Sequence, residues 1–209
     1  AGGGARGALH TAGIGGVPSR SGRGDQMTHR ATQMWEAAGL EDGKLAVARH
    51  RLDVRAVVES AVSLIRPLLL GSHGIEVELP AEPITVVGEH SRLETVFTNL
   101  IENAVRYSPD GGVVHVGCVL GPGLDEVSIS VRDHGLGIAA EDQGRLFVRF
   151  GRIVTPENSH IDGTGLGLYL SSRLVEMHGG RMTVESQPRA GSTLTVILPI
   201  TCRGAEASG

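Results

Sequence analysis

The sequence predicts an α+β fold, a two-layer α/β sandwich with three main helices packed on a mixed, mostly antiparallel sheet. Apolar residues recur at helical spacing in three main segments, near 53–68, 92–106 and 166–177. Alternating segments of strand length fall between and after them, mostly in pairs joined by turn residues. Helices and strands therefore do not interleave as a parallel βαβ sheet requires; the helices group into a layer of their own.

Taken in order, residues 1–27 are rich in Gly, Ala, Arg and Ser, have no hydrophobic period, and read as a disordered leader or linker. Residues 28–38 can form a short helix around Met34 and Trp35, interrupted by Gly39 and Gly43. From Asp53, a plausible N-cap, Val54, Val57, Val58, Ala61, Val62, Ile65 and Leu68 keep helical spacing until Pro67 and Gly71 end the run. Ile75, Val77 and Leu79 alternate with glutamates as in a half-buried strand, and 84–87 can make a second, short one. Ser91 and Glu94 have the spacing of a capping box ahead of Leu93, Val96, Phe97, Leu100, Ile101 and Ala104, which sets a helix at about 92–106. Strands follow at 113–120 and 126–132 around Gly121-Pro122-Gly123. The polar stretch 138–162, broken by Pro156, holds only a short helix near 143–150. A connection of that length suits a functional lid. A helix at 166–177 stops at Gly179-Gly180, and strands at 181–187 and 192–198 complete a folded region of 50–200, with 201–209 a flexible tail.

Composition narrows the function. The 209 residues carry 19 basic and 23 acidic side chains, a net charge of −4. That gives no general attraction to nucleic acid or an anionic membrane. Aromatics are 3% of the chain, too few for a base-stacking platform. Cys118 and Cys202 are far apart and match neither a disulfide framework nor a zinc pattern. No run of 18 apolar residues and no signal peptide is visible, so a soluble, cytoplasmic chain is expected, an expectation compatible with a membrane-anchored parent.

Three motifs carry the chemistry. Asn99 and Asn103 are four apart on one helix face, followed by Arg106 and Tyr107; an amide oxygen is a hard ligand that suits Mg²⁺. In isolation such a pair is more often a cap or a solvated face. Asp133 ends an alternating strand, where its carboxylate can accept a hydrogen bond from an adenine amine, and Gly135 and Gly137 let backbone approach the base. Alone, this is more often an ordinary Asp-Gly turn. Gly163-Thr164-Gly165-Leu166-Gly167 opens a helix, where free amides and absent side chains favour phosphate. No Gly-Lys-Ser/Thr pattern occurs, so the P-loop class is rejected, and the first glycine turn does not open the helix of a βαβ unit.

Together, over about residues 50–200, these motifs resemble the ATP-binding catalytic domain of sensor histidine kinases, within the gyrase, Hsp90, histidine kinase and MutL superfamily and its Bergerat-type fold. Asn99–Ser108 is similar to the family's N box, Asp133–Gly137 to its first G box, Phe147–Phe150 to its F box and Gly163–Gly167 to its second G box. The resemblance implies ATP and Mg²⁺ as cofactors, with Asn103 the metal ligand and Asn99, Asn103 and Arg106 the catalytic set. Arg106 stands where that box commonly has lysine. It further implies a nucleotide site of Asn103, Arg106, Tyr107, Asp133, Gly135, Gly137, Ile138, Phe150, Gly163, Thr164, Gly165, Leu166, Gly167 and Thr193. Residues 138–164 resemble the mobile ATP lid, anchored by Phe147 and Phe150.

Related gyrase-like ATPases place a glutamate base four residues before the magnesium Asn, and here that residue is Asn99; Glu102 lies about 100° around the helix from Asn103. The kinase reading is therefore preferred to a gyrase- or MutL-like ATPase and to an anti-sigma-type serine kinase. None of the nine histidines is followed by Asp or Glu, as a phospho-accepting histidine of this family usually is. Residues 28–49, with Glu41–Leu45, resemble the linker after the dimerisation helices. The expected fragment is thus a monomer that does not phosphorylate itself. Its expected partners are a histidine-bearing dimerisation domain and a response regulator receiver domain, with no nucleic acid and no direct membrane contact.

Overall fold

The computed structural model describes residues 46–69, 71–123 and 125–201. The expected leader over 1–27, the expected helix around Met34 and Trp35, the expected linker at Glu41–Leu45 and the tail after Thr201 lie outside the described residues. The order of elements is β1 (His50–Asp53), α1 (Val54–Ile65), a 3₁₀ turn (Arg66–Leu68), β2 (His73–Glu78), β3 (Thr85–Gly88), α2 (His90–Arg106), β4 (Gly112–Leu120), β5 (Glu126–Arg132), α3 (Ala140–Gln143), α4 (Gly167–Met177), β6 (Arg181–Gln187) and β7 (Gly191–Pro199).

Five strands form one sheet in the order β2-β4-β5-β7-β6. Only β2 and β4 run parallel; β4–β5, β5–β7 and β6–β7 are antiparallel. This is the mixed, mostly antiparallel sheet that the hairpin spacing implies. Its alternating residues Val114, Val116, Val127, Ile129, Val131, Leu194, Val196 and Leu198 point to one face and are buried. The long helices α1, α2 and α4 cover that face. Their apolar stripes (Val57, Val58 and Val62; Leu93, Phe97 and Leu100; Leu174 and Val175) join the strands in one hydrophobic core. The second sheet, β1 with β3, is antiparallel, and Ile200 bridges from the end of β7 to Val86.

Local chemistry explains several boundaries. Asp53 caps α1, its Oδ1 accepting from the Arg55 amide at 3.1 Å. The Arg55 guanidinium bonds the same carboxylate, which holds Asp53 below the usual carboxylate range. Pro67 converts the end of α1 into the 3₁₀ turn. The proposed capping box at Ser91 is not formed. Helix α2 begins at His90, so Ser91 lies inside the first turn and its hydroxyl donates to the Glu89 carboxylate instead. The short helix expected at 143–150 is also displaced: α3 covers only Ala140–Gln143, and turns follow. Strand β1 is absent from the sequence reading.

Candidate nucleotide-binding site

The site is built where α2, the end of β5 and the start of α4 converge. Asn99, Asn103 and Arg106 follow one another at i, i+4 and i+7, hence on one side of α2. Asn99 faces α4: its Nδ2 donates to Ser171 Oγ at 2.9 Å, and a Cβ on Gly167 would press on its amide at 2.5 Å. Glycine at 167 is therefore what lets the loop–helix junction of α4 lie against α2. Asn103 is half-buried and Arg106 exposed, and neither side chain has a partner among the described residues.

Asp133 is buried at the end of β5, where its Oδ1 accepts from the Gly135 amide at 2.8 Å and the Ser192 amide at 3.2 Å. Both bonds use Oδ1, and Oδ2 takes neither. Burial raises the Asp133 carboxyl above its ordinary range, outweighing the two amide bonds that lower it. The turn after it is interlocked with its surroundings. The Leu136 amide donates to the Tyr107 carbonyl at 3.0 Å, and a Cβ on Gly135 would collide with that same oxygen. Gly137 has φ 65°, and a Cβ there would strike the Gln187 carbonyl, so only glycine fits. Thr193 pairs with Arg132 across β5–β7, next to the Asp133 turn.

At the start of α4, the Leu166 amide donates to Thr164 Oγ1 at 3.3 Å, and Leu166 packs with Leu170 and Tyr169 in a small cluster of its own. Gly165, at φ 69°, lies against the Phe150 and Arg152 backbone, where a Cβ would come within 2.9 Å of the Phe150 carbonyl carbon. A Cβ on Gly163 would be 4.0 Å from the Tyr107 hydroxyl. The second glycine turn is thus in contact with both α2 and the lid segment.

One expectation fails here. Phe150 does not anchor the lid to the core: the residue is 57% exposed, has φ 59°, and its ring lies beside Arg149. Its backbone, not its ring, meets Gly165. Phe147 alone of the pair is partly buried against the main core.

The residues fit an adenine nucleotide with a divalent cation. A buried carboxylate keeps one oxygen for a donor, the Asn103 amide has no partner among the described residues, and a glycine-lined turn opens an 11-residue helix. No group of three or more His, Cys, Asp or Glu among the described residues could hold a metal ion. That suits a cation held by one amide, water and phosphates.

Ser171, Ser186, Ser192 and Gln143 belong to this neighbourhood and were missed as site residues. Ser171 had a usable signal, since a small polar residue interrupts the buried stripe of α4 at one turn from Gly167. Ser186 and Gln143 had none, because the bonds that join Ser186 to Ile138 and to Gln143 span 48 and 43 residues.

An α/β sandwich with a buried acid ending one strand and a glycine turn opening the helix packed beside it defines a nucleotide-binding domain. Residues 88–201 match the family described as histidine kinase-, DNA gyrase B-, and HSP90-like ATPase, and the chain belongs to that family, as an ATP-binding catalytic domain of the sensor histidine kinase kind. It is 36% identical over 72% of its length to the adaptive-response sensory kinase SasA of Synechococcus sp. (strain CC9311), and 34% identical over 85% to the sensor protein KdpD of Rathayibacter rathayi. The matches span 39% and 20% of those relatives, well under half of either. Among solved structures, the mycobacterial sensor histidine kinase MprB is similar with a TM-score of 0.62 at 27% identity, covering 73% of this chain and 98% of that one. Full-length ShkA in complex with AMPPNP shares the fold, with a TM-score of 0.74 at 23% identity, over 86% of this chain and 37% of its own.

Proposed function

We propose that this domain binds Mg·ATP and presents its γ-phosphate to a histidine on a separate dimerisation domain, from which a response regulator receiver domain then takes it. In this reading Asp133 Oδ2 accepts from the adenine amine, while the Gly135–Ile138 backbone and Tyr107 line the base and Thr193 stands beside Asp133. Asn103 holds the cation, and Arg106 sets its charge near the phosphates. The Gly163–Gly167 amides receive phosphate oxygens, with Thr164 and Leu166 shaping the turn and Phe150 closing over it from the lid side. Bound magnesium would supply charge neutralisation at the phosphates. The protein's own contribution is positioning and the exclusion of water.

The observation that carries the kinase reading is Asn99. A hydrolase of this fold needs a carboxylate there to activate water; an amide cannot take that proton, and its NH₂ is already committed to Ser171. No described helix is long and apolar enough to cross a membrane, which accords with a cytoplasmic domain. A monomer that relies on its partner for the histidine is the matching assembly state.

The test is to titrate the chain with ATP and ADP, with and without Mg²⁺, then add a separately expressed histidine-bearing dimerisation domain. Mg²⁺-dependent adenine-nucleotide binding, with phosphate appearing on the added histidine, is expected. Steady phosphate release with no transfer would overturn the kinase reading in favour of an ATPase, and no binding would overturn the nucleotide site itself.

A further inference from the structure

The lid segment is fastened tightly at its first residue. Ile138 is held on both sides: its N–H donates to Ser186 Oγ at 2.8 Å, and its carbonyl accepts from Gln143 Nε2 at 3.2 Å. The same Nε2 donates to the Ser186 carbonyl at 2.9 Å. Ser186 Oγ in turn donates to the Gly191 carbonyl at 2.9 Å and lies 2.9 Å from Ser192 Oγ. The Ser192 amide is one of the two donors on Asp133. One hydrogen-bonded chain therefore runs from Asp133 through Ser192 and Ser186 to Ile138 and Gln143. Just upstream, the Leu136 carbonyl accepts from the Arg189 amide at 2.7 Å.

Beyond Gln143 the pattern changes. Among the described residues, the backbone hydrogen bonds of 145–161 close only on neighbours within the segment 142–161. Asn158, buried with Ile161, gathers that stretch onto itself: it accepts from the Thr155 amide at 2.8 Å and donates to the Ile153 carbonyl at 3.1 Å. Apolar contact with the main core comes from Phe147. A segment whose backbone bonds close on itself and whose apolar contact with the main core is one partly buried ring opens at lower cost than one tied to the β6–β7 hairpin by hydrogen bonds from Leu136, Ile138 and Gln143.

We propose that Gln143 and Ser186 are positioning residues: they fix the purine-facing backbone of Gly135–Ile138, so that the lid swings from a hinge after Gln143 and not from the glycine turn. The inference rests on the nucleotide-binding reading above, but its first test needs no nucleotide. Amide hydrogen exchange is measured on the free protein for wild type, Gln143→Glu, Ser186→Ala and Ser186→Thr, alongside ATP affinity. Glu keeps the size of Gln but has no NH₂ to donate to two carbonyls. Expected is an Ile138 amide at least about 10-fold more protected than amides of 145–155. Gln143→Glu and Ser186→Ala should each lose about 10-fold of that protection and about 10-fold in ATP affinity, and Ser186→Thr should restore both.

Wild-type exchange at Ile138 as fast as in the lid overturns the proposal, as do variants that keep wild-type protection and affinity. Equal loosening of a core amide such as Ile129 would reduce the pair to a general stability role and overturn it too. A wild type that binds no ATP would sink the function proposed above, while the exchange experiment would still decide where the hinge lies.

Discussion

On the proposed function, Asp133 is a side chain kept for a ligand at some cost to the fold. Its carboxyl is raised by burial, so the stability linked to its protonation is present below about pH 3.9 and is lost as pH rises through the folded value. The buried carboxyl therefore contributes less to stability as pH rises out of the acid range. Asparagine at 133 can still accept from the Gly135 and Ser192 amides, but presents an NH₂ where the adenine amine also donates. Asp133→Asn is expected to leave the melting temperature equal or higher at pH 7, while ATP binding weakens about 10- to 100-fold and preference over GTP disappears. Calorimetry and paired ATP and GTP titrations check this, and retained ATP preference would remove Asp133 from the base site. Asn103→Ala is the complementary case. Its amide has no partner among the described residues, so thermal stability should change by less than about 1 kcal/mol. Binding of Mg·ATP should fall about 10-fold or more, with metal-free binding nearly unchanged. Equal loss with and without Mg²⁺ would argue against a metal role.

Two polar pins join α2 to α4, and they explain how the second glycine turn is held beside Asn99. Near the start of α4 the pin is Asn99 to Ser171; at its end, His178 accepts from the Glu89 amide through Nε2 at 3.1 Å and bonds the Leu174 carbonyl through Nδ1 at 2.6 Å. Both bonds require the neutral ring with its proton on Nδ1. Burial lowers the His178 pKa below its ordinary value. The sign is then fixed: the stabilisation is whole above about pH 6.5 and is lost as pH falls through the folded value. His178→Ala is expected to cost about 2–3 kcal/mol at pH 7.5, through a stranded Glu89 amide and lost packing. Urea unfolding should show wild type weakening between pH 7.5 and 5.5 by more than the variant does. Parallel loss in both proteins would place the pH sensitivity elsewhere.

The same elements show what the sequence could and could not disclose. The Asp53 cap and the apolar stripes of α1, α2 and α4 were legible because they depend on neighbours within a turn or two. Ser91 misled because a capping pattern does not say which residue starts the helix, and Glu89 offered its hydroxyl a nearer acceptor. Strand β1, His-Arg-Leu-Asp, has no alternation of its own and is a strand only because Thr85–Gly88 pairs with it. Asn99, Asp133 and the glycine turns could be read as motifs. Their anchors at Ser186 and Ser192 could not, since those partners are set by tertiary packing, whereas Ser171 left a trace as a polar residue within the buried stripe of α4.

Across the whole molecule, the three long helices lie on one face of the sheet, and the nucleotide motifs gather at the ends of α2 and β5 and the start of α4. A ligand bound there touches elements that all share one core, so its binding free energy is felt by the entire domain. ADP at about 100 times its dissociation constant is expected to raise the unfolding free energy by about 2.7 kcal/mol in a single cooperative transition. Denaturant curves followed by fluorescence and circular dichroism would detect it; two separate transitions, with only one shifted, would mean that the site is uncoupled from the core.

The bond between Asp133 and Ser192 spans 59 residues, and it sets an order of events during synthesis. When β5 leaves the ribosome it can pair with β4 at once, but its other neighbour is the last strand of the sheet. A nascent chain that already displays the asparagine helix and both glycine turns still lacks one of the two amides that bond the Asp133 carboxylate. On the proposed function, ATP is expected to assist only the late stages of folding, and a chain truncated before residue 191 is expected to bind no nucleotide although it carries the asparagine helix and both glycine turns.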